Sequence, residues 1–208
     1  MNIHDYWPDQ AEPFTPTREI WGQFLDLRTA TYRGFAELEQ TKGLLKPMCS
    51  LNTSEGQEMA RILFYRTLEE MAESYLADDP DHIREEAVDA MNYLLSIHVL
   101  DPISIPREKV IDYMLSATAS GDPWSCSLSR IVIGEAAVEL GGQVGDFFRN
   151  RSWMVNAQDT YFSGQGVLLR AMLTVARPLI HTCKDFDEFA RMYLAKDSVL
   201  QFRLRSNY

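Results

Sequence analysis

Two acidic segments lie close together in this chain, and both read as helix. The first is Glu69-Glu70-Met71-Ala72-Glu73, the second Glu86-Ala87-Val88-Asp89, with Asp78-Asp79-Pro80-Asp81 between them. Residues three or four apart share a helix face, so Glu70 with Glu73, and Glu86 with Asp89, each put two carboxylates on one side. Asp78–Asp81 breaks the helix, because proline lacks an N–H, and Asp81 is placed to cap the next one. A tight helical hairpin is predicted, with its two carboxylate pairs facing each other. Four converging carboxylates repel unless a cation sits between them. Oxygen-only ligands suit Mg²⁺, and Mg²⁺ in such a site usually meets a phosphate-bearing substrate.

The remaining pattern is helical throughout. Leu68, Met71, Ala72, Tyr75 and Leu76 recur at helical spacing and predict the core stripe of a helix over 55–76, with Glu70 and Glu73 opposite it. The next helix, over 82–100, is apolar on most sides, as a central helix is. Val88, Met91 and Leu95 form one face; Glu86, Asp89, Tyr93 and Ser96 form another, with Asn92 at its margin. Carboxylates on so apolar a helix are seldom merely solvated. Glu69 and Glu85, each beside a better-placed carboxylate, read as surface charge. Thr17 is placed to cap a helix running to Gln40 through Trp21, Phe24, Leu25 and Leu27. Further helices are expected over 107–118, 127–150, 163–180 and 185–203. No run of Val, Ile and Thr alternates over a strand length, so no sheet is expected. Residues 1–17, with three prolines, read as an extended lead-in to a single all-α domain over 18–208. Gly141-Gly142-Gln143-Val144-Gly145 falls within a helical pattern. It reads as close helix packing or a bend, not a phosphate loop.

At 208 residues the chain has ample length for a core, and its 46% apolar and 24% charged residues are those of an ordinary globular protein. A net charge of −10 argues against general affinity for nucleic acid. It also means that metal ions, or a few well-placed cations, must hold any polyphosphate. Cys49, Cys126 and Cys183 are odd in number and far apart, as reduced thiols are. His98 and His181 lack metal-ligand neighbours, and Glu135 with Glu139 has no partner pair, so these read as structural. No segment is long and apolar enough to span a membrane, and Met1–Asp9 lacks the regions of a signal peptide. A soluble cytoplasmic protein is expected.

Glu70-x-x-Glu73 followed by Glu86-x-x-Asp89 resembles the metal motifs of the all-α nucleoside triphosphate pyrophosphohydrolases, the MazG-like group that contains the dimeric dUTPases. Met91-Asn92-Tyr93 stands where the dimeric dUTPases carry an aromatic or apolar residue, His and Phe. The C-terminus adds a second match. Tyr193, Lys196, Arg203 and Tyr208 fall at the spacings of the terminal motif of dimeric dUTPases and related phage dCTP/dUTP pyrophosphatases. Asp197, Leu200 and Asn207 replace two Asn and a Gly there. The resemblance covers residues 20–100 and 185–208.

It implies a helical bundle of the dimeric dUTPase type, acting as a homodimer in the cytoplasm, or in the host cytoplasm for a phage-encoded member. Glu70, Glu73, Glu86 and Asp89 would hold two or more Mg²⁺. Lys196 and Arg203 would bind triphosphate oxygens and Tyr208 would close over them. Asn92 would bond the 3′-hydroxyl, and Tyr93 would pack on the deoxyribose. The reaction implied is hydrolysis of a dUTP-like deoxynucleoside triphosphate to the monophosphate and pyrophosphate. The family's uracil-reading Gln and Asn are missing from the first helix, where Arg28 and Tyr32 are the candidate base contacts. That loss admits a second reading, a nucleotide-binding or regulatory protein on the same scaffold with little or no turnover.

Overall fold

A computed structural model of the protein describes residues 12–40, 48–119, 125–153, 169, 172 and 174–206. Among them every regular element is a helix and no strand occurs, as the sequence pattern predicts. The helices are α1 (Arg18–Gln40), α2 (Ser54–Leu76), α3 (Pro80–Leu100), α4 (Arg107–Thr118), α5 (Cys126–Trp153), α6 (174–180) and α7 (Phe186–Arg205). The helix expected over 163–180 is seen only in its C-terminal part; its start lies outside the described residues. No helix of the described residues is long and apolar enough to cross a membrane.

Local chemistry sets the helix starts. Thr17 accepts the Ile20 N–H at 3.2 Å and opens α1. Thr53 accepts the Gly56 N–H at 3.0 Å and opens α2. Gly56 is required there, because an added Cβ would stand 2.0 Å from the Ser50 carbonyl oxygen. Helix α3 starts two residues earlier than predicted. Asp79, not Asp81, is its cap, and Pro80 occupies the first turn, where the missing N–H has no partner to lose.

Helix α3 is the centre of the bundle and packs against α1, α2, α5 and α7. From Ala87 to Leu100 every residue but Asp89 and Tyr93 is buried. The α2 stripe differs from the predicted one. Of Leu68, Met71, Ala72, Tyr75 and Leu76 only Met71 is buried, while Tyr75 and Leu76 are 45% and 70% exposed. The buried line runs Ala60, Phe64, Thr67, Met71 and Ser74. Ser74 explains the choice: its small side chain lets α3 approach, and its hydroxyl donates to the Ile83 carbonyl at 2.9 Å. Glu70 therefore sits at the edge of the α2–α3 contact, half-buried rather than facing away from it.

An aromatic cluster joins α1 to α7. Phe24 stacks on Tyr193 at 4.8 Å between centroids, and Trp21, Phe186 and Phe189 complete it. Beyond the cluster, Thr31 donates to Asp197 at 2.7 Å and accepts from Gln201 at 2.6 Å. Further on, Gly34 leaves room for Leu204, which an added Cβ would meet at 3.0 Å. These contacts hold α7 beside α3. No described residue lies within 4 Å of the Cβ added at Gly141 or Gly142. Gly134 does mark a close approach, with the Tyr75 ring 2.9 Å from its added Cβ.

Asp101, at the C-terminal end of α3, is buried and ties the 48–53 loop to the bundle. Its carboxylate accepts the Leu51 N–H at 2.7 Å, the Ser104 N–H at 3.0 Å and the Ser104 hydroxyl at 2.5 Å. Asp101→Ala removes the buried carboxylate that accepts from Leu51 and Ser104, a loss of about 2–4 kcal/mol. Thermal unfolding followed by circular dichroism is expected to show a Tm lower by about 5–15 °C for a chain of this size.

Candidate functional site

The α2–α3 hairpin brings three of the four predicted carboxylates together. One oxygen each from Glu70, Glu73 and Glu86 lies within 4.8 Å of the other two. Glu70 and Glu86 are partly buried and Glu73 is exposed. Burial, then a hydrogen bond shared with Glu86, then the charges of Asp89, Glu86 and Glu73 push the Glu70 carboxyl up to about 8. A proton is thus retained at neutral pH where three separate carboxylates would hold none. His82, one turn before Glu86, has Nε2 2.9 Å from the Glu86 carboxylate. That i,i+4 contact is written in the sequence and was not among the expected site residues. Glu69, expected as surface charge, is exposed and pairs with Arg66 at 2.5 Å.

Asp89, the fourth carboxylate, contacts α7 instead: its Oδ2 is 2.5 Å from Lys196 Nζ. Burial is the largest influence on Asp89 and raises its pKa; Lys196 opposes that rise, Glu86 adds to it, and the nearby Asn92 amide also favours the charged form. Burial pushes Lys196 down, but its contact with Asp89 and the charges of Glu86 and Glu85 outweigh burial and hold it above its usual value. Lys196 therefore stays protonated at the border of the acidic cluster.

The other expected site residues divide. Tyr93 is half-buried beside the cluster, and burial, then the charge of Glu70, raises its pKa. Asn92 is buried next to it, and its amide lies close enough to Asp89 to favour that carboxylate's charged form. Arg28 is buried on α1 within the electrostatic reach of Tyr93. Tyr32 is buried in the hydrophobic core. Arg203 is exposed on the last turn of α7. It is two turns past Lys196 on the same side of the helix, about 10 Å further along the axis. Tyr208 lies outside the described residues. His98 and His181 are structural as expected, each contacting a backbone carbonyl, that of Ile105 at 2.6 Å and of Ala117 at 3.2 Å.

The three-carboxylate cluster fits a divalent cation. Oxygens around Mg²⁺ at about 2.1 Å lie about 3–4 Å apart, so a small side-chain rotation closes the site. The donors are all oxygen, and the proton retained at Glu70 marks negative charge that a cation would neutralise. Comparison with family models, with curated proteins and with solved structures finds no match.

The Glu70 shift has a measurable sign. Below its ordinary value of 4.5 the carboxyl is protonated whether the chain is folded or unfolded. Between 4.5 and about 8 the unfolded chain releases the proton and the folded protein does not, so stability falls as pH rises through that window. Solvent screening of this partly exposed group leaves about 1–2 kcal/mol of that loss. Glu70→Gln abolishes it. In chelator at pH 8.5 the variant is expected to melt about 2–6 °C above the parent, with no gain at pH 4.

Proposed function

We propose that the protein is a Mg²⁺-dependent pyrophosphohydrolase of a deoxynucleoside triphosphate, forming the monophosphate and pyrophosphate. The observation that carries this is the meeting of Glu70, Glu73 and Glu86 within 4.8 Å, beside a lysine held positive. These carboxylates would hold the ion. When bound, Mg²⁺ supplies neutralisation of phosphate charge and a water of lowered pKa. A carboxylate oxygen of the cluster not engaged by the ion accepts the proton of the attacking water. Lys196 turns from Asp89 to the β and γ phosphate oxygens and stabilises the charge that collects on the leaving pyrophosphate. Asn92 offers a donor and an acceptor side by side to a sugar hydroxyl, and the Tyr93 ring backs the sugar. Arg203 joins Lys196 along the same face of α7, and Tyr208 closes over the phosphates, as the sequence resemblance implies.

The proposal includes a cytoplasmic homodimer, for which the exposed Leu128, Ile131, Val132 and Val138 of α5 offer an apolar face. The Asp89–Lys196 ion pair favours a second reading. It withdraws one carboxylate and the nearest cation from the cluster, as a nucleotide sensor without turnover would. Calorimetric binding of nucleotide without pyrophosphate release is the signature of that alternative.

Pyrophosphate release from a panel of deoxynucleoside triphosphates is expected to require Mg²⁺. Glu73→Gln and Asp89→Asn are each expected to lower it by about a hundredfold or more. Full activity in both variants overturns the metal assignment. Mg²⁺ added without substrate is expected to raise the Tm of the parent, because a ligand that binds only the folded state stabilises it.

A further inference from the structure

Asp89 shares a face of α3 with Glu86, one turn before it, yet its carboxylate does not join the group of converging oxygens from Glu70, Glu73 and Glu86. Its Oδ2 is engaged by Lys196 Nζ at 2.5 Å. The backbone that carries Lys196 is firmly held. Tyr193, one turn before it on α7, is fully buried in its stack with Phe24. Asp197, next to it, is buried and accepts from Thr31 at 2.7 Å. The Lys196 side chain is freer. It is 31% exposed, and its amine ends a flexible four-carbon stem. The ion pair can therefore open by rotation of Lys196 alone, with α7 in place. Opening it with nothing to follow is costly, because the Asp89 side chain is only 19% exposed and would lose its cation. An exchange avoids that cost: a polyphosphate takes the amine while a divalent cation takes the carboxylate.

We infer that Lys196 is a tethered cation that keeps metal off Asp89 until a polyphosphate draws it away. The inference rests on the metal and phosphate site proposed above and names how that site is loaded. In the resting chain Glu70, Glu73 and Glu86 are open to one ion. Paired metal ions in phosphate-handling sites stand about 3.5–4 Å apart. A second ion beside the first therefore draws on Glu86 and Asp89, the two carboxylates on one face of α3. That second position is shut while Lys196 holds Asp89 and opens when Lys196 turns. Metal at Asp89 and polyphosphate at Lys196 then strengthen each other by the same factor, since each completes the exchange that the other begins. The ion pair is on this reading the resting state of the site.

Mn²⁺ accepts the same octahedral oxygen ligands as Mg²⁺ and can be counted. Equilibrium dialysis of the full chain against Mn²⁺, with bound metal measured by atomic absorption, tests the inference. The parent is expected to bind about one ion per chain, and Lys196→Met, which removes the charge, about two with no phosphate present. Lys196→Met combined with Asp89→Asn is expected to return to about one, which a general electrostatic effect of the lysine would not produce. Imidodiphosphate, a polyphosphate analogue that resists hydrolysis, is expected to raise the parent to about two ions and to leave Asp89→Asn at about one. A parent that binds both ions unaided overturns the inference. So does a count unchanged by Lys196→Met, an extra ion that persists in the double variant, or no binding at all. If Lys196→Met does not fold, the parent with and without imidodiphosphate decides, and no rise overturns the inference. Mg²⁺-dependent pyrophosphate release with a metal count indifferent to Lys196 leaves the proposed activity standing and defeats only this inference. The expected counts without pyrophosphate release do the reverse.

Discussion

Helix α3 is enclosed by α1, α2, α5 and α7, and an enclosed helix must find a partner for each polar group it carries. Most of α3 meets that demand by being apolar. Ser96 returns its hydroxyl to the Asn92 carbonyl at 2.7 Å, and His98 binds the Ile105 carbonyl. Asp101 gathers the loop before α2 into a buried carboxylate cap. Glu86, Asp89, Asn92 and Tyr93 are concentrated along one stretch of the helix. That stretch is where the charge of the interior collects.

Charge there is handled in two ways. Asp89 is offset by Lys196, which the aromatic docking of α7 on α1 brings within reach. Among the described residues Glu70 and Glu73 form no ion pair, and the Glu70 carboxyl keeps its proton to about pH 8. Arg28 is buried on α1, and its Nε has no hydrogen-bond partner among the described residues.

The hairpin and its carboxylates were legible in the sequence because helical spacing is short-range. Glu70 with Glu73, and Glu86 around the Asp78–Asp81 break, needed only the period of a helix to be placed. The burial of α3 was legible for the same reason, since an apolar residue on nearly every side has few other homes. The α2 stripe was not, because Tyr75 and Leu76 count as apolar while Thr67 and Ser74 count as polar. Packing reversed that ranking: Ser74 is small enough for α3 to approach, and Gly134 then receives Tyr75 from outside.

The sequence by itself determined the fold class, the helix order and which carboxylates share a face, all consequences of the backbone period and of capping. Tertiary structure alone decided that Asp89 would pair with Lys196, more than a hundred residues away. It also sent Tyr32 into the core, left Arg203 exposed, and buried Arg28. The reason is physical. Whether a long polar side chain is solvated, paired or stranded depends on the helices around it, and no local pattern encodes those neighbours.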